Sequence, residues 1–92
     1  MTAPGACTVR IASPLRSYTG GAAKVAADGA TVHDVIADLE RRFPGIRFRM
    51  IDEQDAIRPH IRLYVETREV KSLAEPVGPR DTVHVICALS GG

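Results

Sequence analysis

The sequence predicts an α+β fold in which a small sheet packs on one main helix, and three observations predict it. Residues 31–43 carry apolar side chains at the spacing of a single buried helical stripe, over about three turns. Segments on either side alternate apolar and polar residues with the two-residue period of half-buried strands. Gly, Pro and Asp turns separate these segments, so the order along the chain is strand, strand, helix, strand, short strand, final strand.

The first strand, 7–12, alternates around Val9 and Ile11 with Thr8 and Arg10 on its other face, and Ser13-Pro14 closes it. Residues 15–19 lead to Gly20-Gly21, read as a flexible turn, and 22–27 form a weaker strand centred on Val25. The two strands make an antiparallel hairpin with a long connection. Asp28-Gly29 turns the chain into the helix, where Thr31 and Asp34 have the spacing of a capping box. Val32, Val35, Ile36, Leu39 and Phe43 form the stripe. Arg41 and Arg42 favour the negative end of the helix dipole, and Pro44-Gly45 stops the helix. Residues 46–51 fit a helical turn or irregular chain equally well.

Beyond a locally basic middle, residues 61–66 put Ile61, Leu63 and Val65 on one face and Arg62, Tyr64 and Glu66 on the other. Thr67-Arg68 turns this strand into a short edge strand, 69–71, and 72–80 is loop with room for one helical turn. The final strand, 82–89, points Val83, Val85 and Cys87 toward the core and His84, Ile86 and Ala88 away from it.

Ninety-two residues make one domain, 1–92, with a single core. Twelve basic against eleven acidic side chains leave +1, a balance that points neither to nucleic acid nor to an anionic membrane. Arg41, Arg42, Arg47, Arg49, Arg58 and Arg62 outnumber Asp52, Glu53 and Asp55; they read first as a solvated face and second as a surface that docks on an acidic partner, while the absence of interleaved aromatic residues argues against nucleic acid. Residues 1–6 lack the regions of a signal peptide, and no stretch approaches the ~18 apolar residues of a membrane span; the expected location is the cytoplasm. Cys7 and Cys87 are too few and too far apart for a zinc or redox site, and both read as reduced, buried thiols.

No G-x-S-x-G, H-E-x-x-H or Cys/His cluster occurs, and His33, His60 and His84 fall on three separate elements. No metal site and no catalytic residue is expected. The chemistry lies instead at Gly91-Gly92. Chance alone ends roughly one chain in 200 this way, so the position directly after a strand is what gives the pair meaning. Residues without side chains thread a narrow channel easily. The tail, 89–92, extends roughly 13 Å at ~3.3 Å per residue, enough for Leu89, Ser90 and Gly91 to deliver the Gly92 carboxylate into another protein.

Four stretches together are similar to a known family: Leu15-Arg16-Ser17-Tyr18-Thr19-Gly20-Gly21; Asp28-Gly29-Ala30-Thr31; Asp38 to Gly45 at the helix end; and Asp81 to Gly92. The whole chain resembles a β-grasp, ubiquitin-like sulfur carrier of the ThiS/MoaD family, and the first stretch resembles CysO-type carriers in particular. The chain departs from the family's pattern at Glu66-Thr67-Arg68, where members often have Asn-Gly, and at Cys87, where many have Pro.

The resemblance implies a mixed sheet of four to five strands on one helix, and a protein co-substrate rather than an enzyme. An adenylating, sulfurating enzyme of the ubiquitin-activating type would use ATP and Mg²⁺ to form a Gly92 acyl-adenylate, then a Gly92 thiocarboxylate. A downstream biosynthetic enzyme would accept the sulfur, with cysteine, thio-metabolite, molybdopterin and thiamin routes all open. This chain itself would bind no cofactor. In a β-grasp the third and fifth strands are neighbours, so Arg62, Tyr64, His84 and Ile86 would form a docking patch leading to the tail. A ubiquitin-like modifier joined through Gly92 to lysines, and a non-covalent β-grasp adaptor, are the alternative functions.

Overall fold

The computed structural model describes residues 6–88. The tail positions Leu89, Ser90, Gly91 and Gly92 lie outside them.

The helix forms where its stripe and cap require. Helix α1 spans Val32–Arg42, and the Thr31 hydroxyl accepts the Asp34 amide at 3.2 Å. The reciprocal bond of the predicted box, from the Thr31 amide to the Asp34 carboxylate, does not form among the described residues; that carboxylate lies 3.6 Å from His33 Nδ1. Val32, Val35, Ile36 and Leu39 are buried, whereas Phe43 caps the helix and is only partly buried against the core. Two further amides of the first turn are satisfied from a distance: Val32 N donates to Glu75 O and His33 N to Leu73 O, each at 2.9 Å. The loop after the edge strand thus has a physical task. Among the described residues it contains no helical turn, and Val77 drops from it into the core.

The ambiguous stretch after the helix is a second, short helix, α2, over Ile46–Met50. Gly45 sits at φ 99°, and the Glu40 carboxylate accepts the Gly45 and Arg47 amides at 3.0 Å. Ile46, Met50 and Ile51 are buried, so α2 is held by packing and by a carboxylate from α1.

Five strands form one mixed sheet: β1 Ala6–Arg10, β2 Lys24–Asp28, β3 Ile61–Val65, β4 Arg68–Glu69 and β5 Thr82–Cys87, in the order β2-β1-β5-β3-β4. Strand β5 lies at the centre, parallel to β1 and antiparallel to β3. Cys7, Val9, Ala27, Ile61, Leu63, Val65, Val83 and Val85 join the helix residues in one core. Strand parity is therefore as expected, with small corrections at the ends. The second strand begins at Lys24, and the edge strand stops at Glu69 because Val70 turns into the core. Cys87, the last residue of β5, is half-buried because the sheet ends there. Glu66, first of the two turn residues between β3 and β4, adopts φ 56°, and its carboxylate accepts the Thr82 amide at 2.6 Å.

The long connection between β1 and β2 is not merely a turn. Ser13–Thr19 is a 3-10 helix opened by Pro14, with Leu15 and Thr19 buried. It ends at Gly20 and Gly21, whose φ values of 66° and 91° suit glycine alone at low cost.

Candidate functional site

Pairing of β3 with β5 places Arg62 opposite Ile86 and Tyr64 opposite His84. Directly opposed residues share a sheet face, and this is the face turned away from the helices. All four expected patch residues are thus brought together. Ile86 is 45% exposed, and Phe48 is the other large apolar side chain left exposed among the described residues. Tyr64 and His84 are half-buried, and Arg62 forms the rim, with Nη1 donating to Glu69 Oε2 at 3.1 Å. Parallel pairing with β1 adds Arg10 beside His84.

The patch lies along the strand that leads to the tail. The Ala88 amide donates to His60 O at 2.7 Å, so the chain is held up to the last described residue. Neither cysteine supplies a ready nucleophile. Burial pushes the Cys87 thiol up, and burial does the same at Cys7, with the carboxylates of Asp28, Asp81 and Asp38 adding to it. No cluster that could hold a metal ion occurs among the described residues, and none of their helices is long and apolar enough to cross a membrane.

The basic middle of the chain is largely tied into local pairs. Arg41 and Arg42 share the Asp38 carboxylate at 2.6 and 2.8 Å, Arg47 meets Asp55 at 2.5 Å, and the Arg58 guanidinium covers the Phe48 ring at 4.4 Å. Burial alone would raise the pKa of Asp38, but the Asp28 amide and the two guanidinium groups outweigh it and hold the carboxyl below its ordinary range.

A groove at the root of the tail was not legible in the sequence. It has a volume of about 440 Å³ and is lined by Pro14, Leu15, Tyr18, Arg49, His60 and Cys87 among others. Its wall joins residues far apart in the chain, since Arg49 Nε donates to the Tyr18 hydroxyl at 2.7 Å. The 3-10 helix and α2 bring them together, and no local spacing announces that contact.

A five-stranded mixed sheet with a central β5 and a main helix on one face define a ubiquitin-like β-grasp protein. The ThiS family model matches residues 9–92, and the chain belongs to the ThiS family. It is 36% identical over 90 residues to the sulfur carrier protein CysO of Mycobacterium tuberculosis, covering 92% of this chain and 97% of that protein. A chain in the crystal structure of the Amycolatopsis orientalis BexX/CysO complex superposes with a TM-score of 0.87 at 37% identity, covering 94% of this chain and 99% of that one. Small archaeal modifier protein 3 of Haloferax volcanii is 34% identical over 68 residues, covering 71% of this chain and 73% of that protein.

Proposed function

We propose that this chain is a cytoplasmic sulfur carrier and a protein co-substrate, with Gly92 as the reacting residue. The observation that carries the reading is the path of β5. The central strand of the sheet passes the Arg62, Tyr64, His84 and Ile86 patch and leads directly to Leu89, Ser90, Gly91 and Gly92. Likeness to the CysO carrier over most of both chains supports it.

In this reading an activating enzyme of the ubiquitin-activating type docks on the patch and draws the tail into its own active site. A Gly92 carboxylate oxygen attacks the α-phosphorus of ATP bound by that enzyme with Mg²⁺, and pyrophosphate leaves. The carboxylate, a poor electrophile, becomes an acyl-adenylate with AMP as leaving group. Sulfur at the hydrosulfide level then attacks the Gly92 carbonyl carbon, AMP departs, the S–H proton is lost, and a thiocarboxylate remains. Ionised at neutral pH, the thioacid passes its sulfur to a downstream biosynthetic enzyme without release of free sulfide.

Likeness to an archaeal modifier protein favours one second reading, conjugation of Gly92 to lysine amines. Intact mass of the chain after incubation with the activating enzyme, ATP and a sulfur donor separates the two. A carrier gains the exchange of one oxygen for sulfur, whereas a modifier appears in higher-mass conjugates. Full biosynthetic function after deletion of Gly92 would rule out both and leave a non-covalent adaptor.

A further inference from the structure

Strand β5 ends between two hollows, and their walls have one electrical sign. The groove of about 440 Å³ carries Arg49 and His60, and a second hollow of about 390 Å³ carries Arg10, Arg16 and His84. The two meet at Pro14 and Cys87, and no carboxylate lines either. Ile86 lies in the wall of the second hollow, so the cations continue directly from the apolar patch.

These cations differ from the paired ones of the chain, as Lys24, Arg58 and Arg80 also do. Arg41, Arg42, Arg47, Arg62, Arg68 and Lys71 each pair with a carboxylate. Arg10, Arg16 and Arg49 pair with none among the described residues. Arg10 even has Lys24 as its cross-strand partner, an arrangement of like charges that costs stability in a free sheet. Two of the three guanidinium groups are nevertheless aimed. Arg16 Nε donates to Ile11 O at 3.0 Å and Arg49 Nε to the Tyr18 hydroxyl at 2.7 Å. Each tether leaves the terminal nitrogens of the planar fork to meet an incoming carboxylate.

We infer that Arg10, Arg16 and Arg49 form a cationic collar around the tail root, which seats on a carboxylate-bearing rim around the tail-accepting channel of the activating enzyme. The inference rests on the carrier reading and adds to it the charge of the partner's surface. A protein rim fits better than a nucleic acid: the hollows are concave, have apolar walls of Pro14, Leu15 and Ile86, and belong to a chain of net charge only +1. Unpaired cations facing a carboxylate rim act mainly on encounter and affinity, and salt screens them.

The test uses the full chain, ATP and the purified ubiquitin-activating-type enzyme of the same organism, with acyl-adenylate formation followed by pyrophosphate exchange. Arg10→Glu and Arg49→Glu should each raise the KM for the carrier about tenfold with kcat nearly unchanged, and the wild-type KM should climb between about 50 and about 300 mM salt. Arg80→Glu makes the same charge change at the opposite end of β5, in an arginine likewise outside the ion pairs, and should leave KM alone. Arg10 makes no side-chain hydrogen bond among the described residues, so its variant reports on charge even if Arg49→Glu disturbs the contact with Tyr18. Unchanged KM in both collar variants would overturn the collar, as would an equal rise for Arg80→Glu. Wild-type carrier that is never adenylated would instead overturn the carrier reading itself, and the collar with it.

Discussion

Replacing Ile86 by Asp puts a charge at the centre of the proposed docking patch without touching the core. Ile86 is 45% exposed and faces away from the helices, so the change removes little internal packing. Asp is a poor residue for a central strand, which should cost up to about 1 kcal/mol of stability. The loss on binding should be larger. Full burial of an Ile side chain contributes ~1.5–3 kcal/mol, so covering the part still exposed contributes about 1 kcal/mol. Burying a carboxylate against an apolar partner surface adds a desolvation penalty of ~1 kcal/mol or more. Affinity for the activating enzyme should therefore fall at least tenfold, ~1.4 kcal/mol, in isothermal titration calorimetry. Unchanged affinity would refute the patch as the docking surface. A collapse of thermal stability would show instead that Ile86 supports the fold.

Other substitutions test the scaffold. Leu39→Ala should cost roughly 2–5 kcal/mol in urea unfolding, because Leu39 is 1% exposed on the core face of α1; a loss near zero would contradict that packing. Gly29→Ala should cost roughly 1–3 kcal/mol, since a Cβ there would stand 2.6 Å from the Val35 amide nitrogen and the backbone would have to shift; a neutral result in the same titration would refute the close approach. Asp38→Asn should flatten the acid limb of stability. A carboxyl held below its ordinary range stabilises the fold above the unfolded pKa of ~3.9 and loses that contribution as pH falls through the folded value. Thermal melts from neutral to acid pH should show the wild type falling more steeply than the variant, and parallel curves would contradict this.

The sequence made the helix and the faces of the strands readable because each rests on a local period. The stripe from Val32 to Leu39 and the alternation through Ile61, Leu63 and Val65 are imposed by burial on one side. The patch became readable once the β-grasp resemblance made β3 and β5 neighbours, since parity puts Arg62, Tyr64, His84 and Ile86 on one face; the register that sets Arg62 opposite Ile86 and Tyr64 opposite His84 came only with the structure. The 3-10 helix at Ser13–Thr19 and α2 at Ile46–Met50 are too short for a period to declare itself. They form through tertiary partners, such as the Glu40 carboxylate at the start of α2. The groove they build, with Tyr18 meeting Arg49, was hidden for the same reason. The loop carbonyls of Leu73 and Glu75 that cap α1 likewise leave no mark in the sequence, because any residue carries the same carbonyl.

The central claim is that sulfur is carried on the Gly92 carbonyl, and top-down mass spectrometry of the chain after incubation with the activating enzyme, ATP and a sulfur donor tests it most directly. The account predicts a gain of about 16 Da that fragmentation places on Gly92 and that disappears when Gly92 is deleted, whereas a persulfide on Cys87 would add about 32 Da. Sulfur found on Cys87, or an unmodified terminus after complete consumption of ATP, would contradict it.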